Sequence, residues 1–383
     1  MEQPGLQTAI VYDFDGTLAP GNCQEHGLFR LLGVDADSFW RATTVAAEHH
    51  DADRILLYLR QLIDVARERG TPLTAALLEA QGRAVPFFDG VEAWFDRIDA
   101  HAAERGLRLE HYLISSGNEE ILRGTSIARH FRRIFACRYL YDDQGHASWP
   151  AVAINYTTKT QFLFRINKGI GNAWDDEAVN RWLPMAERDV PFSRMIYVGD
   201  GDTDIPSMKM VRHQGGHSVA VFDPERWSAK ETQRKVYNLI AEDRAHFVVP
   251  ADYRDGSQLD VTIKGILGRL ARDQAGYREP RKRLPSAELD PERRVARRRL
   301  DADRAAVSLG HRLRDRQPEP GAAAIAPRRE EAIEQARAVV SRDARAVVVH
   351  RDARHRAARS GIDVDGARRP REAICVLDQV RQR

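Results

Sequence analysis

Short apolar runs and helical stripes take turns along the chain as far as Leu270, and their order predicts an α/β protein. Ala9–Tyr12, His111–Ser115, Ile134–Leu140, Val152–Tyr156, Met195–Val198, Gly216–Phe222 and Phe247–Pro250 read as strands, short and bounded by Gly, Pro, Asp or Ser. Ile55, Leu59, Leu62, Ile63 and Ala66 fall at i, i+4, i+7, i+8 and i+11, one stripe of a helix that ends near Gly70. Thr74 caps a further helix through about Gln81, and Val91, Trp94, Phe95 and Ile98 form one face of a helix ending near Gly106. Another starts at Lys159 ahead of Phe162, Leu163 and Ile166, and a last one spans about Gln258–Leu270. Strands separated by helices need crossover connections, so the expected fold is a doubly wound, mainly parallel sheet. Tyr141–Gly145 reads as a hairpin turn, the exception. Residues 21–84 carry helical periodicity throughout and separate the first strand from the second.

Composition changes the picture mainly at the C-terminal end. Residues 273–383 carry 27 Lys plus Arg and 18 Asp plus Glu, net +9, which leaves 32 and 38, net −6, for residues 1–272. That tail has one aromatic residue, Tyr277, and one lysine, Lys282, against 26 arginines. It has too little apolar surface to offset the entropy of ordering, so a solvated, disordered tail is expected. Two other readings stand beside it: a basic arm that meets nucleic acid through phosphate contacts, and a stretch that is not a selected protein sequence. Ala332–Val340 has the pattern of a transient helix, and Arg-Asp-Ala-Arg occurs at 342–345 and 351–354 without a solenoid period. Cys23, Cys137 and Cys375 show no metal-ligand or redox spacing and read as structural thiols. With no leader-like segment and no run near 18 apolar residues, the expected place is the cytoplasm, with no membrane partner.

The chemistry gathers at strand ends. Asp13 and Asp15 close the first strand one residue apart, where open α/β sheets bind ligands, and two such carboxylates can divide the roles of nucleophile or metal ligand and acid/base. Gly16 permits a sharp turn, and Thr17 offers a hydroxyl and an amide to an anion. The strand Met195–Val198 runs into Gly199-Asp200-Gly201-Asp202-Thr203-Asp204. A calcium loop needs Gly and Glu where Ile205 and Val211 stand, which excludes it. His49, His50, His213 and His217 are given no role.

Asp13-Phe14-Asp15-Gly16-Thr17, the strand ending in Ser115, the lysine opening a helix at 159 and Gly199-Asp200-x-x-x-Asp204 come in an order that resembles the four motifs of the haloacid dehalogenase superfamily. Most members are Mg²⁺-dependent phosphohydrolases, and the resemblance covers residues 1 to about 272. It implies a catalytic core of residues 1–20 and 85–272, with 21–84 as a helical cap over the active site. It implies Asp13 as nucleophile and Asp15 as the acid that protonates the leaving alcohol. Ser115, chosen over Ser116 because it directly follows the apolar run, would hold phosphoryl oxygens, and Lys159, with Lys168 as the alternative, would offset charge. Mg²⁺ would be held by Asp13, the Asp15 carbonyl and Asp200, with Asp204 holding a metal water or Lys159.

The second carboxylate points to an alcohol leaving group, since halide needs no proton to leave, and hence to a phosphatase or a phosphomutase acting on a small phosphate monoester. The helical insertion and the Gly-Asp-Gly form look most like the phosphoserine phosphatase-like branch. That branch carries a glutamate where this chain has Asn22, with Glu25 nearby, so serine phosphate is not implied. Arg54, at a cap-helix start, reads as an exposed arginine.

Overall fold

The computed structural model describes residues 5–278 except 202. The chain divides into a unit of residues 1–281 and one of residues 282–383; the tail expectations, Cys375 and Asp202 lie outside the described residues. A seven-stranded sheet has the order β4-β3-β2-β1-β5-β6-β7, from β1 (Leu6–Tyr12), β2 (Leu107–Asn118), β3 (Phe131–Tyr141), β4 (Ala147–Val152), β5 (Met195–Gly199), β6 (His217–Phe222) and β7 (Phe247–Pro250). All neighbours are parallel except β3 and β4. This is the doubly wound, mainly parallel α/β sheet that the pattern predicts.

β1 sits at the centre of the sheet, and its second half is wholly apolar apart from the Tyr12 hydroxyl. Ala9, Ile10, Val11 and Tyr12 are all fully buried, as a parallel strand covered on both faces must be. Its neighbours are β2 on one side and β5 on the other. The chain therefore leaves β1 toward one edge and later returns to fill the other, which opens a crevice at the strands' carboxyl ends. Below the crevice a buried chain of hydrogen bonds fixes β1 in place. Trp94 Nε1 donates to the Tyr12 hydroxyl at 2.9 Å, that hydroxyl lies 3.0 Å from His111 Nδ1, and His111 Nε2 lies 3.0 Å from Asp99.

Six α-helices lie between β1 and β2, the first five being α1 (Cys23–His26), α2 (Leu28–Leu32), α3 (Ala36–His50), α4 (Arg54–Glu68) and α5 (Ala75–Gln81). The apolar stripe of α4 is buried at Leu59, Leu62, Ile63 and Ala66, and Asp53 caps its start by accepting from the amides of Ile55 and Leu56. Thr74 caps α5 through the Leu77 amide. The remaining helices are α6 (Val91–Ala103), α7 (Glu119–Arg123), α8 (Lys159–Asn167), α9 (Asp176–Asn180), α10 (Ile205–His213), α11 (Lys230–Ala241) and α12 (Gln258–Arg278). α12 runs eight residues beyond its expected end at Leu270.

One strand falls elsewhere than the pattern predicts. β4 is Ala147–Val152, not Val152–Tyr156. The turn decides its place: the Asp142 carboxylate accepts from the amides of Gln144 and His146, so Ala147 comes to lie opposite Tyr141. Farther on, Asn155 Oδ1 accepts from the amides of Thr157 and Thr158, which folds the chain into the turn that starts α8. Among the described residues no helix is long and apolar enough to cross a membrane.

Candidate active site

The site starts where β1 stops. Asp13 still donates its amide to the Val198 carbonyl of β5 at 2.9 Å, but its carboxylate leaves the sheet into the crevice, where Oδ1 accepts from the Phe14 amide at 2.8 Å. Asp15 lies past the bend, with Oδ1 accepting from the Cys23 amide at 2.8 Å. The first residues of α1 thus hold the second carboxylate. Gly16 has φ +73°, and a β-carbon there would lie 2.8 Å from Asp200 Oδ2, so backbone conformation and space both demand glycine. Thr17 departs from expectation at its amide alone. Its amide is used in the turn, donating to the Phe14 carbonyl, while its buried hydroxyl has no hydrogen-bond partner.

Lys159, the first residue of α8, is fully buried. Its Nζ lies 2.8 Å from Asp13 Oδ1, 2.7 Å from Asp204 Oδ1 and 3.2 Å from the Thr203 hydroxyl. Burial works against the ammonium, but Asp13 and Asp204 outweigh it and hold its pKa above the ordinary value. Burial also works against the Asp204 charge, yet Lys159 and the Tyr197 hydroxyl, at 2.7 Å, keep that carboxyl below its usual range. Asp13 is pushed up, first by burial and then by the charge of Asp204, with Lys159 offsetting only part. We read Lys159–Asp204 as the standing ion pair and Asp13 as the carboxylate still short of positive charge. Asp15 is pushed up to about 7 by burial, against the pull of the Cys23 amide and Lys159.

A metal would supply the missing charge. Carboxylate oxygens of Asp13, Asp200 and Asp204 lie within 4.8 Å of one another, and Asp204 Oδ2 is buried with no hydrogen-bond partner. A hard, all-oxygen donor set with excess negative charge suits a divalent cation such as Mg²⁺ or Ca²⁺. The Asp15 carboxylate stays outside this cluster, turned onto the Cys23 amide. Gly199 is required for the geometry, because a β-carbon there would meet Asp204 Oδ2 at 2.3 Å.

Ser115 is buried at the end of β2, its Oγ accepting from the Gly117 amide at 2.9 Å. A β-carbon on Gly117 would lie 2.6 Å from Cys23 Sγ, 3.2 Å from that Oγ and 3.3 Å from Asp15 Oδ2, so Ser115 and Asp15 both approach the Gly117 backbone, where no side chain has room. The Ser116 carbonyl accepts from the Tyr58 hydroxyl of α4 at 2.5 Å, while the buried Ser116 hydroxyl has no hydrogen-bond partner. The fold thus brings Asp13, Asp15, Ser115, Lys159, Asp200 and Asp204 to one edge. The alternative Lys168 sits apart, bonded to the carbonyls of Val179 and Arg181. Arg54 is exposed.

Sequence reasoning overlooked the partners that hold these groups. Tyr197, read only as strand, is the hydroxyl donor to Asp204, and Lys235 of α11 lies 2.9 Å from Asp200 Oδ2. Nothing local signals Lys235, which stands 35 positions from its partner. Gln24 Nε2 of α1 donates to Asn118 Oδ1 at 3.1 Å, tying the helical segment to the end of β2.

The family model described as haloacid dehalogenase-like hydrolase matches residues 10–209. An uncharacterized protein of Borreliella burgdorferi is 27% identical over 282 residues, covering 66% of this chain and 93% of its own. Two solved structures are similar at TM-scores of 0.45 and 0.43. One is a HAD family hydrolase of Salmonella enterica serovar Typhi, 15% identical, with 69% of this chain and 72% of that chain covered. The other is a phosphoserine phosphatase carrying a phospho-aspartyl intermediate analogue, 18% identical, with 68% and 99% covered.

Proposed function

This chain belongs to the haloacid dehalogenase-like hydrolase family, and from that premise we propose that it is a phosphatase that hydrolyses a small phosphate monoester with Mg²⁺ through an aspartyl-phosphate. The observation that carries the reading is Lys159, buried between Asp13 and Asp204, with Asp15 two residues beyond Asp13 and its carboxyl near 7. The cluster of Asp13, Asp200 and Asp204 would hold the ion, together with the main-chain carbonyl of Asp15. Mg²⁺ there would neutralise charge on the phosphoryl group and keep Asp13 ionised.

A carboxylate oxygen of Asp13 attacks phosphorus while the P–O bond to the alcohol breaks in line. Burial pushes the Asp15 carboxyl up to about 7, so it keeps its proton in a large share of molecules at neutral pH, and it delivers that proton to the departing alkoxide. Left as a carboxylate, it then removes a proton from the water that attacks the phosphorus, releasing phosphate and restoring Asp13. Lys159 fixes the rotamer of Asp13 and offsets the approach of one anion to another. Ser115 Oγ, which accepts from the Gly117 amide, would donate its hydrogen to a phosphoryl oxygen.

Serine phosphate is not the substrate this reading favours. Asn22 occupies the expected glutamate position, and Glu25 Oε1 is engaged by Asn22 Nδ2 and Trp40 Nε1, each at 2.6 Å. The test is a panel of phosphate monoesters assayed with Mg²⁺, with EDTA, and with Asp13→Asn. Turnover should need the metal and vanish in Asp13→Asn while its melting temperature stays near that of wild type. Activity that survives in the purified variant would sink the mechanism.

A further inference from the structure

Two lysines contact the acidic cluster, and they differ in a way that assigns them different work. Lys159 is wholly buried and bridges Asp13 and Asp204, so its removal from them would leave an ammonium stranded in the interior. Lys235 reaches in from α11, anchored by the buried Val236 and Leu239, and its Nζ lies 2.9 Å from Asp200 Oδ2. Its side chain is 24% exposed and that of Asp200 23%, so this pair, unlike Lys159 with Asp204, is partly open to water. The oxygen it holds faces the reaction crevice: Asp200 Oδ2 is the atom that a β-carbon on Gly16 would meet at 2.8 Å, beside the Asp15–Gly16 peptide.

From this we infer that Lys235 is a tethered competitor for the metal. Its ammonium sits on the Asp200 carboxylate until a divalent ion displaces it, and it thereby sets the metal concentration at which the site fills. The inference rests on the reading of Asp13, Asp200 and Asp204 as a metal site. Its physical basis is simple. In the absence of the ion, Asp200 faces Asp13 and Asp204 across less than 4.8 Å, and a mobile cation relieves that repulsion. When a doubly charged ion arrives, the same cation has to withdraw from the ligand oxygen and stay within repulsive range at the end of its tether. Removing one positive charge a few Å from a divalent ion at a half-wet site should tighten binding by roughly tenfold. A lysine that merely oriented Asp200 for the ion would have the opposite effect when removed.

The experiment is calorimetric titration of the full chain with MgCl₂, comparing wild type with K235M, K235Q, K235R and D200N. K235M and K235Q should each bind Mg²⁺ about tenfold more tightly, and K235R, which keeps the charge, should stay within about threefold of wild type. The manganese concentration for half-saturation, read by the loss of free Mn²⁺ signal in electron paramagnetic resonance, should shift alike. Melting in EDTA confirms that each variant is folded, and two neutral variants guard against the failure of one. D200N separates the two levels of argument. If wild type shows Mg²⁺ binding that D200N abolishes, yet K235M and K235Q bind no more tightly than wild type, the competitor role is overturned and the metal site stands. If Mg²⁺ binding is absent from wild type or survives in D200N, the metal site fails, and the competitor role with it.

Discussion

Asp15 and His217 show how burial can dominate the charge state of a side chain. Asp15, pushed up to about 7 by burial, holds a proton that an exposed aspartate would have lost, as an acid catalyst must. Asp15→Asn should therefore slow alkyl phosphates, whose alkoxide needs that proton, by about 10²–10⁴-fold, and slow p-nitrophenyl phosphate far less. Equal losses on both ester types in steady-state assays would count against the acid role. His217, at the start of β6, is pushed down to about 4 from an ordinary 6.5, chiefly by burial and next by His246. It is neutral in the fold while the unfolded chain takes up a proton, so its contribution is complete above about pH 6.5 and is lost as pH falls toward about 4. Urea denaturation at pH 7 and at pH 4.5 should show His217→Gln losing about 1–3 kcal/mol less than wild type between the two.

At the scale of elements, the helical segment is tied to the sheet by backbone contact as well as by side chains. α5 and α7 approach so closely that a β-carbon on Gly124 would sit 1.7 Å from the Glu79 carbonyl oxygen, and one on Gly82 would sit 2.3 Å from that of Ile121. Backbone atoms cannot move aside as a side chain can, so a single methyl group has to push two helices apart. Gly124→Ala should destabilise the protein by about 2–4 kcal/mol, read from urea midpoints. The same segment carries Cys23, whose amide holds Asp15, so a displaced helix pair should also lower turnover. A variant as stable and as active as wild type would show that the two helices separate at little cost.

For the whole molecule, the question is how much of the chain the chemistry needs. The acidic site and the helix that closes the fold, α12, all lie within residues 1–281. A cut after residue 272 would remove the last turn and more of α12, whereas a cut after Arg281 leaves it whole. The shorter chain, residues 1–281, should match the full chain in kcat/KM and melt within a few degrees of it at about 0.15 M salt, where charge pairs between an acidic body and a basic tail are screened. An insoluble or inactive product would place the arginine-rich residues in the working protein.

The motifs were legible in the sequence because each depends on local chemistry. A buried strand announces itself by β-branched residues without interruption, and a site at its end by the carboxylates and glycine that follow. Asp13, Asp15, Asp200 and Asp204 stood out that way, whereas Ser115 and Lys159 were named from the resemblance to family motifs; the sheet class was legible too, since strands that alternate with helices can be joined in few ways. Other features were set by packing between distant segments. β4 moved upstream because the Asp142 turn and β3 settled its register, and Tyr197 looked like any strand residue until the fold brought its hydroxyl to Asp204. Lys235 shows the limit most clearly. Residue type and local pattern determine what a side chain can do, but which of its neighbours it meets depends on the tertiary fold, because electrostatic partners need proximity in space and leave no period in the sequence.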